Sequence, residues 1–128
     1  MLKILIVDTE KEVLASLKKA LERAGFNEIM IFNNPKIALE IAKIEKFDVL
    51  ITDIYIDMLG LSCISFIKMI IENDKNIKII LMTGLEDFKF KDPEIRRHVI
   101  SCFDKPLNLF KLIDTLNSLV EQTTRLLN

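Results

Sequence analysis

The sequence contains few of the features that mark linkers, secreted proteins and membrane proteins. Only three glycines and three prolines occur among its 128 residues, and no stretch resembles a linker, a repeat or a low-complexity tract. No apolar run approaches the roughly 20 residues that span a bilayer, and the first residues lead into a strand pattern without a signal-peptide layout. The net charge of −1 provides no basic surface. We therefore expect neither nucleic acid nor a membrane among the partners.

Cysteine is also scarce, which excludes a disulfide-rich scaffold. Cys63 and Cys102 lie within apolar stretches and do not have the spacing of metal ligands. We predict two buried, reduced thiols, which is typical of a cytoplasmic protein. A disulfide between them is the alternative.

The composition favours one globular domain over residues 1–128, because half of the residues are hydrophobic and 29% are charged. Apolar runs typical of strands alternate with stretches that have helical periodicity. The strands are expected at about 2–7, 28–32, 48–53, 77–83 and 100–103. The helices are expected at about 10–24, from Asn34-Pro35 onward, at 62–72, after Asp92-Pro93, and from 108 toward the end. This order predicts an α/β fold, a doubly wound five-stranded parallel sheet with helices on both faces.

Helical spacing also predicts which side chains face the sheet. The expected inward residues are Ile37, Ala38, Ile41 and Ile44 in the second helix, Ile64, Ile67, Ile71 or their neighbours in the third, and Leu109, Leu112, Ile113, Leu116, Leu119 and Val120 in the last.

Four of the predicted strands end in polar residues of different chemistry. Asp8, Asp53, Thr83 and Lys105 each follow an apolar run. In a parallel sheet such residues converge at the carboxyl edge, where these folds bind ligands. Two carboxylates, a hydroxyl and an ammonium suit a phosphoryl group and a cation. Taken singly, Asp8 is equally well explained as a helix cap, Thr83 as part of a turn, and Lys105 as a helix entrance.

These residues carry a resemblance to the receiver domain of two-component response regulators, a flavodoxin-like fold. The matching segments are Ile4-Leu-Ile-Val-Asp8, Asp48-Val-Leu-Ile-Thr-Asp53, Ile80-Leu-Met-Thr83-Gly84 and Lys105-Pro106, and the intervals between them are those of the family. The resemblance covers essentially the whole chain.

The resemblance implies a role for each strand-end residue. Asp53 would accept a phosphoryl group from a histidine kinase or phosphotransfer protein, and Mg²⁺ would be held by Asp8, Asp53 and the backbone carbonyl of Tyr55. Thr83 would bind the phosphoryl oxygens, and Lys105 would pair with Asp53 and then with the phosphoryl group. Lys105-Pro106 would contain a cis peptide. Such a protein catalyses its own phosphorylation and passes the signal on by changing conformation, without turning over a substrate.

Three positions depart from the family pattern. Thr9 replaces the second of two adjacent acids, which is usually the direct metal ligand, so we expect weaker Mg²⁺ binding. Asp57 occupies a loop position that is usually proline. Cys102 replaces the aromatic residue whose rotamer reports phosphorylation, so the signal would depend on other surface changes. His98 is the only histidine, and we predict an ordinary surface or half-buried residue.

Two other functions stay open at this point. The first is a pseudo-receiver, an interaction module that does not depend on phosphorylation, which Thr9 and Cys102 favour. The second is a haloacid-dehalogenase-like phosphatase, because Val7-Asp8-Thr9-Glu10 also resembles the nucleophile loop of that family. For a receiver we predict a weak homodimer or an effector contact through the last strand and helix. The chain would be a single domain, or the N-terminal part of a protein with an effector after Asn128.

Overall fold

The computed structural model describes residues 2–53, 62–83 and 92–127, except for the side chains of Thr83, Leu126 and Leu127. Within these ranges, strands and helices alternate as the sequence predicts. They are β1 (Lys3–Val7), α1 (Lys11–Arg23), β2 (Glu28–Phe32), α2 (Pro35–Ile44), β3 (Val49–Asp53), α3 (Cys63–Asn73), β4 (Lys78–Thr83), α4 (Pro93–His98), β5 (Val99–Asp104) and α5 (Leu109–Leu127).

The strands form one sheet with the order β2-β1-β3-β4-β5, and every neighbouring pair is parallel. Central strands of this sheet are more buried than its edge strands. β3 is buried throughout and β1 almost so, whereas the edge strands β2 and β5 are largely half-exposed. The predicted α/β fold class is confirmed.

Alternate strand residues point to opposite faces, and each face carries its own apolar core. Leu5 and Val7 face one core, whereas Ile4 and Ile6 face the other. The first core contains buried residues of α2, α3 and α4, and the second contains buried residues of α1 and α5. The sheet is therefore covered on both sides, as a doubly wound fold requires.

In α2 and α3 some of the residues predicted to face the sheet are exposed, although the others are buried or half-buried. Ile37 and Ile44 of α2 are 50% and 77% exposed, and Ile64 of α3 is 45% exposed. Both helices have more apolar residues than one buried stripe accommodates, so periodicity alone did not select the inward set. In α2 the buried residues include Ala38 and Leu39.

The prediction for Cys102 was wrong in its burial. Cys63 is buried and Cys102 is exposed, and both thiols are free, which excludes a disulfide between them. Cys102 lies on β5, and an edge strand is covered less completely than a central one. The strand also extends one residue further at each end than predicted.

Local signals at helix ends were predicted correctly. The Asn34 side chain accepts hydrogen bonds from the backbone N–H groups of Lys36 (2.9 Å) and Ile37 (3.4 Å), with Pro35 in the first turn of α2. After α1, Gly25 has a φ of 100°, a backbone conformation that glycine adopts without steric cost. None of the described helices is long and apolar enough to cross a bilayer.

Candidate functional site

Two of the predicted site residues follow neighbouring strands at the centre of the sheet. β1 pairs with β3 so that Val7 lies opposite Thr52, and the next residues on the two strands are Asp8 and Asp53. From β1 the chain continues to β2 on one side of the sheet, and it returns with β3 on the other side. The carboxyl ends of β1 and β3 therefore flank a topological switch point, where folds of this class bind ligands.

Lys105 joins the two carboxylates. The last pairing of β4 with β5 places Thr83 opposite Asp104, and Lys105 follows directly. Its ammonium nitrogen donates to Oδ2 of Asp53 at 3.0 Å and to Oδ2 of Asp8 at 3.2 Å. Both aspartates are buried. The fold thus brings together three of the residues that the sequence singled out from separate strand ends.

Electrostatics keep the ammonium charged. Partial burial by itself lowers the pKa of Lys105, because it removes water from the charge. Hydrogen bonds to Asp53 and Asp8, together with their negative charges, outweigh this effect and raise the pKa above its ordinary value of 10.5. The site therefore contains a permanent cation at neutral pH.

Asp8 has a structural role as well. Its Oδ1 accepts a hydrogen bond from the backbone N–H of Glu10 at 2.8 Å, while its Oδ2 contacts Lys105. Glu10 is the residue that precedes α1. Asp8 is therefore not the cap of α1, since that position is Glu10 and the side-chain bond ends at the N–H of Glu10 itself. Its role in the site stays a prediction.

Two residues that the sequence did not single out contact the backbone of Asp53. The Thr52 hydroxyl donates to the Asp53 carbonyl oxygen at 3.2 Å, and the Cys63 thiol lies 3.7 Å from the same oxygen. Burial and the Asp53 charge raise the pKa of Cys63 to about 12, so the thiol keeps its proton. A buried threonine directly before a strand-end acid was a usable signal. The sequence predicted a buried Cys63 thiol but not its contact with Asp53, because that contact depends on where α3 begins.

The remaining predicted residues are described in part or not at all. The backbone of Thr83 ends β4 beside β5, and its side chain lies outside the described part of the chain. Tyr55 and Asp57 also lie outside it. The Lys105–Pro106 peptide is cis, as the resemblance implies. His98 is half-buried, as predicted, and its Nδ1 is 2.8 Å from the carbonyl oxygen of Ile77.

The described part of the site contributes two carboxylates, a ligand type that Mg²⁺ accepts. Within residues 2–53, 62–83 and 92–127, no group of three or more carboxylate, histidine and cysteine side chains could hold a metal. Asp8 and Asp53 nevertheless approach the same ammonium nitrogen, so a cation at this edge has two carboxylates nearby. Mg²⁺ in proteins is commonly bound by one or two carboxylates together with water and phosphate oxygens. Thr9, the neutral residue next to Asp8, is exposed.

Comparison with known proteins identifies a family for this arrangement. The response regulator receiver domain model matches residues 4–117. The response regulator receiver protein CpdR of Brucella abortus (strain 2308) is 27% identical over 120 residues, which cover 94% of this chain and 98% of that protein.

Solved structures agree with the fold. A response regulator receiver domain protein from Clostridium thermocellum superposes with a TM-score of 0.80 at 25% identity, covering 98% of this chain and 99% of that one. The receiver domain of the Francisella response regulator 1452 gives a TM-score of 0.80 at 24% identity, covering 96% and 99% of the two chains.

Proposed function

This chain belongs to the response regulator receiver domain family, and we propose that it accepts a phosphoryl group on Asp53 from a phosphohistidine of a histidine kinase or phosphotransfer protein. The observation that carries the proposal is the Lys105 ammonium bound to both buried carboxylates at the switch point. Phosphoryl transfer depends mainly on positioning and on neutralised charge, and this arrangement contributes to both.

Asp53 is the proposed nucleophile. One of its carboxylate oxygens attacks the phosphorus in line with the phosphorus–nitrogen bond of the phosphohistidine. That bond breaks and leaves its electron pair on the imidazole nitrogen, while the new oxygen–phosphorus bond forms an acyl phosphate. The hydrogen bonds to the Asp53 carbonyl hold the backbone of the nucleophile in place during the reaction.

Lys105 is the proposed partner of the developing negative charge. Its raised pKa keeps it protonated, so it offers up to three donors to the carboxylate and then to the phosphoryl oxygens. Asp8 keeps the ammonium at the site, because it is not modified when Asp53 becomes an acyl phosphate. Thr83 is proposed to bind a further phosphoryl oxygen through its hydroxyl.

The proposed metal ligands are Asp8, Asp53 and the backbone carbonyl of Tyr55. When bound there, Mg²⁺ neutralises charge between the carboxylates and the phosphoryl oxygens. Asp8 and Asp53 contribute buried carboxylates, and Lys105 balances part of their charge. Thr9 adds no charge where family members usually have a second acid, so we expect phosphorylation to need a high Mg²⁺ concentration.

Phosphorylation by acetyl phosphate over a Mg²⁺ series, followed by intact mass spectrometry, tests the proposal. The wild type should gain one phosphoryl group, and Asp53→Asn should gain none, because the amide keeps the shape but is not a nucleophile. Asp114→Asn, an exposed aspartate on α5, is the matched control and should behave as the wild type. Uptake by Asp53→Asn would show that the nucleophile has been misassigned.

Thr9 favours one alternative, a pseudo-receiver in which the fold mediates interactions without phosphorylation. Thr9→Asp restores a carboxylate beside Asp8 and should tighten Mg²⁺ binding about tenfold, the scale of one charge-assisted contact. Failure of both the wild type and Thr9→Asp to gain phosphate or to bind beryllofluoride would favour the pseudo-receiver. The family match favours a receiver over the haloacid-dehalogenase alternative. The single-domain boundary at 1–128 and a cytoplasmic location stay predictions.

A further inference from the structure

A polar groove of about 390 Å³ lies at the opposite end of the sheet from Asp8 and Asp53. Lys78 begins β4 and His98 directly precedes β5, so the groove is at the amino ends of these two strands. The phosphoacceptor site is at their carboxyl ends, roughly 16 Å away at the rise of an extended strand. The groove is lined by Lys75, Asn76, Lys78, Glu94, Arg97 and His98.

Positive charge predominates in this groove. Lys75, Lys78 and Arg97 face a single carboxylate, that of Glu94. Glu94 is paired with Lys75 at 3.5 Å, and the pair is weak because Lys75 is largely exposed and Glu94 is partly exposed. In the described part of the chain, neither Lys78 nor Arg97 has a carboxylate within 4 Å. Two cations are therefore left for an external anion.

The segments that carry these cations are fixed by their own contacts. Oδ1 of Asp74 accepts a hydrogen bond from the backbone N–H of Asn76 at 2.9 Å, which shapes the turn before β4. Ile95 is completely buried and anchors α4 to the core. Nδ1 of His98 donates to the carbonyl oxygen of Ile77 at 2.8 Å, since a carbonyl can only accept. The groove thus has walls that are formed before any ligand binds, which lowers the cost of binding.

We propose that this groove binds the phosphate of a small phosphorylated molecule. Its volume is within the range of small-molecule sites, and its cations rather than an apolar lining would provide the affinity. Arg97 offers a planar fork that matches two phosphate oxygens, and Lys78 contributes a point charge from the start of β4. The proposal is independent of phosphorylation at Asp53.

Titration of ¹⁵N-labelled protein with pyrophosphate tests the proposal. EDTA is included so that no Mg²⁺ complex forms at the Asp53 site, and sodium chloride at matched ionic strength is the reference. We expect saturable shifts in the amides of residues 75–78 and 94–98, without comparable shifts at Asp8 or Lys105. Added salt should weaken the binding, because exposed charges are screened.

Variants identify the residues responsible. Lys78→Gln and Arg97→Gln should each weaken pyrophosphate binding about fivefold, the effect of one partly screened charge contact. Arg96→Gln is the matched control, because it removes the same charge from the adjacent, exposed position on α4, outside the groove lining. Amide shifts that never saturate, or that centre on Lys105, would overturn the proposal. So would an equal loss of pyrophosphate binding in Arg96→Gln.

Discussion

At the scale of single residues, the site is governed by one ammonium that serves two buried carboxylates. Lys105 contacts Asp8 and Asp53 at the ends of neighbouring strands, so its removal would take one cation away from two buried carboxylates. Because the pKa of Lys105 is raised in the folded protein, these ion pairs also make the stability depend on pH.

Lys105→Gln should lower the free energy of unfolding by about 1–3 kcal/mol at pH 8, less than for a fully buried pair because Lys105 is partly exposed. Urea unfolding at pH 8 measures the loss. Lys111→Gln on exposed α5 is the control, and an equal loss in that variant would exclude the electrostatic explanation.

In the wild type, the stability that Lys105 contributes should be lost at high pH. The pKa of Lys105 is raised above 10.5 in the folded protein, so its contribution is complete below that pH and is lost as the pH rises through the folded value. The difference in stability between the wild type and Lys105→Gln should therefore fall above pH 10.5. A stability difference that stays constant up to pH 12 would show that the ion pairs of Lys105 are not its cause.

The two cysteines should differ in reactivity. Burial and the Asp53 charge raise the pKa of Cys63 to about 12, so almost no thiolate forms there at neutral pH. Cys102 also has a raised pKa, through partial burial and the Asp104 charge, but its side chain is exposed. A thiol reagent such as DTNB should modify Cys102 in the native protein and Cys63 only after unfolding. Native Cys102→Ser protein that still reacts at once would contradict this order.

At the scale of elements, the sequence predicted the strands well and the helix orientations less well. Central strands are continuous apolar runs that end in Asp8 and Asp53, a pattern that only burial on both faces explains. In α2 the apolar residues outnumber the positions that face the core, so Ile37 and Ile44 were wrongly assigned inward. Strand order decided the exposure of Cys102, and an apolar stretch does not show whether its strand is central or at an edge.

The cap of α2 provides a prediction at this scale. Asn34→Ala removes the acceptor of two backbone N–H groups and should cost about 1 kcal/mol of unfolding free energy. Asn34→Asp keeps the acceptor oxygen and should cost much less. Chemical denaturation of the three proteins makes the comparison. If Asn34→Asp is as unstable as Asn34→Ala, the loss arises from the site's packing and not from the cap.

At the scale of the whole molecule, the sheet order explains why three distant residues could be predicted to lie together. Asp8, Asp53 and Lys105 are far apart in sequence, but a parallel sheet places every strand's carboxyl end along one edge. Chemistry at strand ends is therefore sufficient to locate them. The contact of Cys63 with the Asp53 carbonyl needs the packing of α3 against β3, which no sequence pattern specifies.

Each face of the sheet carries a helix with an exposed apolar side chain that could form an interface. Phe110 at the start of α5 is 84% exposed, and Ile44 on α2, across the sheet, is 77% exposed. We predict a weak homodimer or an effector contact through β5 and α5, because an exposed aromatic side chain is a typical interface anchor.

Sedimentation of the wild type, Phe110→Asp and Ile44→Asp at high concentration, with and without beryllofluoride and Mg²⁺, distinguishes these faces. Loss of a dimer in Phe110→Asp alone would support the β5–α5 face, because the new charge would have to be buried without a partner. Loss in Ile44→Asp alone would transfer the interface to α2. A wild type that stays monomeric under both conditions would remove the dimer and leave Phe110 as a contact for a different protein.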